Sequence, residues 1–417
     1  MRSLSALLFY IWLLSLPFYR YSLIGTLAFD QILGSALVVL WLAVRPKADE
    51  AFTRGQRANI IAGLILLTLY FFSHTLTFVL SQSAIWRYTY RFLADIPYFL
   101  VPVLYVRSAL IRRRAEDYVV LVALIGALSS FLVAYGIFDL PIARESADRL
   151  AIEGLELTRA TGFFGAFGDM AILSAFSLMI VMSAKRETLL FFKRSWIMII
   201  GIPFALLLGF VGSQSRNIAL TVVVSISLYL LIGWWAKRRA NWIPKFYLLL
   251  FIGAMTIVIT LGFFFEPLFD YVATLGGRAA RGTAEARLEQ YEFGLKLLDG
   301  RYLSGAPPAV QDKYGLFINS IHNMWIKELV IGGFFAVLAM LAFLIVGIMK
   351  ATRCLRVDPL DQAARLRLVL CITLFLSTQF NPSGTSVYWV MLGLIFANVP
   401  IREPEVTRAQ GAIYAAR

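Results

Sequence analysis

The stretch HNMWIKELVIGGFFAVLAMLAFLIVGIM, residues 322–349, decides the class of this chain. After Lys327 and Glu328 it carries no charged side chain until Lys350. About 20 consecutive apolar residues suffice to cross a bilayer as a helix. Comparable runs recur along the whole length, at 4–19, 22–44, 58–80, 90–111, 118–138, 167–184, 196–213, 217–235, 246–264, 323–349, 366–380 and 385–401. The expectation is an all-α, polytopic membrane protein of about 12 transmembrane helices, with residues 1–417 forming a single membrane domain. Long uniform runs exclude a β-barrel, whose strands are short and alternate.

Composition agrees. Of 417 residues, 59% are hydrophobic and only 15% charged, and mean hydropathy is +0.75. Soluble domains carry about a quarter charged residues. The net charge of +14 does not indicate nucleic acid, because the basic residues lie in short clusters between apolar runs, as topology signals do. The N-terminal run, Arg2 followed by apolar residues to Phe18, has the start of a signal peptide but no small-x-small cleavage site, and reads as a retained first helix. Cys354 and Cys371 form no C-x-x-C or Cys/His group, so neither zinc nor a disulfide framework is indicated.

With the N-terminus inside, every short inside connection is basic, as in Arg112 to Arg114, Lys185 and Arg186, and Lys237 to Arg239. The C-terminus then also lies inside. Two outside segments are too long for turns, a smaller loop at 139–166 and a large loop at 265–322. In the large loop Leu288, Tyr291, Leu295 and Leu298 recur at helical spacing, which fits a helix on the outer membrane surface or roofing a cavity.

Candidate chemistry collects on the outside face. Arg216, in GSQSRN at 212–217, opens a helix where a positive charge works against the topology bias. It is either an interfacial arginine reaching lipid phosphate or an anion ligand backed by the helix N-terminus. Arg278, Arg281, Arg287 and Arg301 make the large loop basic, which reads as a solvated patch or as diphosphate binding. Arg159 ends the smaller loop in RATGFFGAFGD, where Gly162, Gly165 and Gly168 permit close packing and Asp169 falls just inside the next run. Asn319 or Ser320 is the expected cap of the helix beginning near 323, which puts His322 and Asn323 in its first turn at the membrane–water boundary. The chain has two histidines; His322 is the catalytic candidate, and His74, mid-run, is left to structure.

Arginines suit a departing diphosphate, and histidine suits taking a proton from a hydroxyl near neutral pH. A sugar on a lipid diphosphate is a donor that needs no ATP. No Asp-x-Asp motif or metal-ligand cluster is visible on the outer face, so no metal or other cofactor is expected.

With these residues in view, the chain resembles the O-antigen ligase and O-antigen polymerase family of bacterial envelope glycosyltransferases. RATGFFG resembles the family's Arg-x-x-Gly-x-Phe. GSQSRNIAL resembles its Ser-Arg-x-x-x-Leu, and RLEQYEFGLKLLDGRYLSGAPP its Arg-x-x-x-Trp stretch leading to Leu-x-Gly-x-Gly. HNMWIKELVIGG resembles its His-Asn signature, which ends on glycine. Tyr291 stands where the family has tryptophan, Pro307 where it has the second glycine, and Trp325 and Ile326 interrupt its usual aliphatic run. The resemblance implies a GT-C-type fold in the bacterial inner membrane with a periplasmic site. It implies inverting transfer of a glycan from undecaprenyl diphosphate to a lipid A-core hydroxyl, by a ligase, or to a growing glycan, by a polymerase. It assigns catalysis to His322 and phosphate binding to Arg216 and Arg287. On the residues' own chemistry Arg216 is counted with His322 as catalytic, Arg159, Arg278 and Arg281 join Arg287 at the diphosphate, and Asn323 and Tyr291 support the site. The partners expected are that donor, one of those acceptors and membrane lipids, with no nucleic acid. A lipid-linked oligosaccharide transporter is the reading from another class. A proton-coupled carrier places ionisable residues deep in several runs, and here Asp30, His74 and Asp95 are the mid-run candidates, with Asp169, Lys327 and Glu328 nearer the outer face.

Overall fold

The computed structural model describes residues 2–18, 22–24, 27–43, 54–80, 86–137, 145–152, 155–160, 163–164, 167–183, 201–213, 216–238, 289–314, 318, 321, 323–378 and 385–397. The run at 246–264 lies outside them, as do His322, Arg278, Arg281 and Arg287.

The described chain is chiefly helical. Helices α1 (Arg2–Ser15), α2 (Phe29–Ala43), α3 (Arg54–Leu80), α4 (Trp86–Tyr105), α5 (Ala109–Ala134), α6 (Phe167–Ser183), α7 (Ile202–Ser213) and α8 (Arg216–Arg238) fall on the apolar runs in order. Beyond them come α9 (289–297), α10 (Pro308–Lys313), α11 (Met324–Val357), α12 (Gln362–Thr378) and α13 (Thr385–Phe396). Among the described residues, three helices contain stretches long and apolar enough to cross a membrane: Gln56–Leu76, Leu110–Ala134 and Met324–Val357. By length and composition these are candidate membrane spans of a helical protein.

The observed elements differ from the expected runs in three places. Residues 22–28 form two short antiparallel strands, β1 (Ser22–Ile24) and β2 (Leu27–Ala28), so the second helix starts only at Phe29. The fifth helix starts at Ala109, nine residues before the apolar run, because Ser108 caps it by accepting from the Ile111 amide at 3.2 Å. Arg112 then pairs with Glu116 at 2.8 Å, one helical turn on. The smaller loop, expected at 139–166, also holds regular structure. Strands β3 (Glu145–Ile152) and β4 (Leu155–Ala160) pair antiparallel as a hairpin.

Packing runs α1 on α2, α2 on α4, α5 with α6 and α7, α12 on α8, α13 on α4, and α3 on α11. Helix α3 is antiparallel to α11 and tied to it at both ends. At one end Lys350 donates to the Asn59 side chain and lies over the Phe396 ring, 5.1 Å from its centroid. At the other, His74 meets Glu328. Between them Tyr70, Phe99, Phe343, Trp389 and Phe396 meet edge-on, with neighbouring centroids 5.0–6.4 Å apart. In lipid the helices gain little from the hydrophobic effect, and such interlocked packing carries their association. A second, smaller apolar cluster forms where the large loop meets α11. It holds Leu298, Ala306, Ile318, Ile321 and Val330.

Candidate active site at the broken start of α11

At 1.5 Å per residue, the part of α11 from Phe334 to Val357 is about 36 Å long, enough on its own for a bilayer core of about 30 Å. The nine residues before it belong to a separate segment, because the helix is broken at Gly333, whose φ is 72° and ψ −170°. That region of backbone space is open essentially to glycine alone. The break frees peptide groups at 330–334, and bare peptide groups are not tolerated in the apolar part of a membrane.

The large loop supplies partners for them. The Ala306 amide donates to the Val330 carbonyl at 2.7 Å, and the Phe334 amide donates to the Tyr302 carbonyl at 2.8 Å. The buried Gln311 side chain donates through Nε2 to the carbonyls of Ala306, at 2.8 Å, and Ile331, at 3.1 Å. From the opposite side, the Ser73 hydroxyl on α3 donates to the Gly332 carbonyl. The approach is close enough to require glycine twice more. A Cβ on Gly305 (φ 80°) would lie 2.9 Å from the Val330 oxygen, and one on Gly332 would lie 2.7 Å from His74 Cε1. The segments RYLSGAPP and HNMWIKELVIGG thus form one hydrogen-bonded unit.

Asn323 caps this short helix. Its Oδ1 accepts from the amides of Trp325, at 2.9 Å, and Ile326, at 3.2 Å. This corrects the expectation that Asn319 or Ser320 caps and that Asn323 lies in the first turn; residues 319–320 are outside the described part of the chain. His322 directly precedes the cap in sequence. Tyr291 lies on α9, packed against the small apolar cluster. Of the expected stripe, Tyr291 and Leu298 face this cluster. Leu298 is fully buried and Leu295 is 40% exposed, and the close face runs through Gly294, where a Cβ would lie 3.1 Å from Ile321 Cδ1. Helix α9 therefore packs on the start of α11.

The remaining candidates are placed by backbone. Arg216 is the first residue of α8, and Arg159 lies on β4 opposite Ser146 of β3. The motif that carries Arg159 docks on α5. Phe164 is fully buried against Gly126, where a Cβ would lie 2.1 Å from its ring, and the Phe163 amide donates to the Ser129 hydroxyl at 3.2 Å. Asp169 is buried in the first turn of α6. Among the described residues no group of His, Cys, Asp or Glu is arranged to hold a metal ion.

One constellation escaped sequence reasoning. Glu328, on the short segment of α11, is buried, and its Oε2 accepts from the Tyr70 hydroxyl at 2.9 Å. The same oxygen lies 3.0 Å from His74 Nε2, and His74 Nδ1 lies 2.9 Å from the Tyr70 carbonyl. A carbonyl only accepts, so Nδ1 carries a proton. A single further proton lies between Nε2 and Oε2, and the pair is neutral overall wherever that proton resides. The signal was legible in part: both residues are ionisable and lie in apolar runs, and such residues pair.

No protein-family model matches the chain, and no curated protein matches it.

Proposed function

We propose that the chain is a membrane glycosyltransferase of the O-antigen ligase type, with about 12 spans and a periplasmic site between its two outer loops. It moves a glycan from undecaprenyl diphosphate to a lipid A-core hydroxyl. The diphosphate is held by Arg216 and Arg287, with Arg159, Arg278 and Arg281 alongside. His322 takes the proton of the acceptor hydroxyl as that oxygen attacks the anomeric carbon opposite the departing diphosphate. The carbon inverts in one step, with no covalent sugar–enzyme intermediate.

One observation carries this reading. The outer loop is built into the break of α11 by three hydrogen bonds, from the Ala306 amide to Val330, from the Phe334 amide to Tyr302 and from the Gln311 side chain to Ile331, next to a helix start capped by the residue that follows His322. A catalytic base needs such a rigid support to hold its geometry. A polymerase of the same family would use the same donor chemistry with a growing glycan as acceptor.

A carrier of lipid-linked oligosaccharide is the reading from another class. It draws on the buried His74–Glu328 pair beside a discontinuous helix, both of which occur in transporters.

Purified protein in detergent, given a synthetic undecaprenyl-diphosphate glycan, lipid A core and EDTA, separates these readings. Transfer to the core that is lost in His322→Ala supports the ligase. Extension of the donor without the core supports the polymerase. Absence of any transfer by well-folded protein, together with flipping of the donor in vesicles that His322→Ala leaves intact, supports the carrier.

A further inference from the structure

The segment 324–332 of α11 is cut off from the helix body by Gly333, so the body does not dictate its rotation or height. Its position has to come from lateral contacts. On the loop side these are the Ala306 amide on the Val330 carbonyl, the Gln311 side chain on the Ile331 carbonyl and the packing of Val330. On the α3 side they are side-chain contacts, the Tyr70 hydroxyl and His74 imidazole on Glu328 and the Ser73 hydroxyl on the Gly332 carbonyl. The Glu328 carboxylate is buried at 3% exposure and His74 at 1%. Gly332 has no side chain, which is what lets the imidazole lie against its backbone. These groups lie within two turns of α3, on the face that meets the short segment.

We infer that Glu328 is a positioning residue, which locks the short segment of α11 to Tyr70 and His74 of α3 and thereby fixes the helix start that Asn323 caps and His322 precedes. This rests on the glycosyltransferase reading for its catalytic consequence and on geometry for its structural one. The lock depends on hydrogen bonding at one oxygen and not on charge. A glutamine at 328 keeps an oxygen acceptor for Tyr70 at that position, with its amide nitrogen in the place of the other carboxylate oxygen, so it retains the Tyr70 contact and gives up the one to His74. A role in moving protons would instead require the carboxyl group itself.

The test uses full-length protein in detergent and compares wild type, Glu328→Gln and Glu328→Ala by glycan transfer and by amide hydrogen exchange. The expected result for Glu328→Ala is a fall in kcat of tenfold or more, with KM for the lipid donor within about twofold of wild type. Exchange is expected to accelerate at 324–332 and not at 334–357. Glu328→Gln, which keeps the acceptor for Tyr70, is expected to lie between wild type and Glu328→Ala in both. Wild-type kcat and wild-type exchange in Glu328→Ala would overturn the inference. So would a Glu328→Gln variant as defective as Glu328→Ala. If Glu328→Ala does not fold, Tyr70→Phe removes one donor to the same oxygen and is read against the same two outcomes, at smaller amplitude. Wild-type protein that transfers no glycan yet shows the expected exchange pattern would sink the glycosyltransferase reading and leave the positioning of the segment standing.

Discussion

Gly333 and Leu303 meet backbone to backbone: a Cβ on Gly333 would lie 2.2 Å from the Leu303 carbonyl oxygen. The contact joins the loop to the break in α11, at a φ of 72° and ψ of −170° that side chains do not adopt. Gly333→Ala therefore meets strain and overlap together, and is expected to destabilise the protein by about 3–5 kcal/mol. Gly300→Ala is the control. Its φ is 77°, but nothing lies within 4 Å of an added Cβ, so the expected loss is only ~1–2 kcal/mol. Thermal unfolding in detergent of the two variants checks the difference, and equal losses would refute the close contact.

The His74–Glu328 pair is expected to respond unequally to its two deletions. A carboxylate left without its partner keeps a charge in an apolar site, whereas an imidazole left without its partner can be neutral. Glu328→Leu leaves a neutral ring with one unsatisfied nitrogen, at about 1–3 kcal/mol. His74→Leu leaves a buried carboxylate with Tyr70, at about 3–5 kcal/mol. The double variant should be more stable than His74→Leu alone. A double-mutant cycle measures this, and strict additivity of the two losses would argue against the pair.

Removal of the Asn323 cap should be felt locally and modestly. Asn323→Ala gives up two accepted amide hydrogen bonds and is expected to cost about 1 kcal/mol. Asn323→Asp keeps the acceptor and should retain stability. On the proposed function, Asn323→Ala also lowers glycan transfer, and the ordering of the three proteins in the transfer assay checks this.

Gln311 bridges the loop and the short helical segment through a single side-chain amide. Gln311→Ala leaves the Ala306 and Ile331 carbonyls without that donor in a buried site, which is expected to cost about 1–3 kcal/mol. The loss should open the loop before the helix body. Limited proteolysis is expected to cut faster within 302–311 while Phe334–Val357 stays protected.

Tyr98 and Asp30 provide a test remote from the site. The Tyr98 hydroxyl donates to Asp30 Oδ2 at 2.5 Å, with both residues fully buried between α4 and α2. Tyr98→Phe is expected to destabilise by about 1.5–3 kcal/mol, the range for a hydrogen bond to a charged group. Thermal unfolding measures this, and on the proposed function glycan transfer at a temperature below both transitions should be unchanged.

The sequence by itself determined the class and the helix order. Apolar runs of bilayer length form helices because lipid offers the peptide groups no other partner, and that demand is local to each run. Hence α3, α6, α8 and α12 lie close to where hydropathy alone puts them. It also singled out HNMWIKELVIGG and RYLSGAPP, though as separate motifs.

Only the tertiary structure decided what those motifs do to each other. Gly305 and Gly333 are single letters, and nothing in their immediate neighbours says that two backbones will touch there. Leu295 stays exposed on α9 while Gly294 beside it lies close to Ile321, and spacing shows only that one side of the helix is apolar. The cap falls to Asn323, three residues beyond Ser320, because its side chain accepts from the Trp325 and Ile326 amides. His74 looked like a lone mid-run histidine, and its partner is 254 residues away. The burial of one ionisable group is explained only by the group that neutralises it, and that partner is fixed by the packing of α3 on α11.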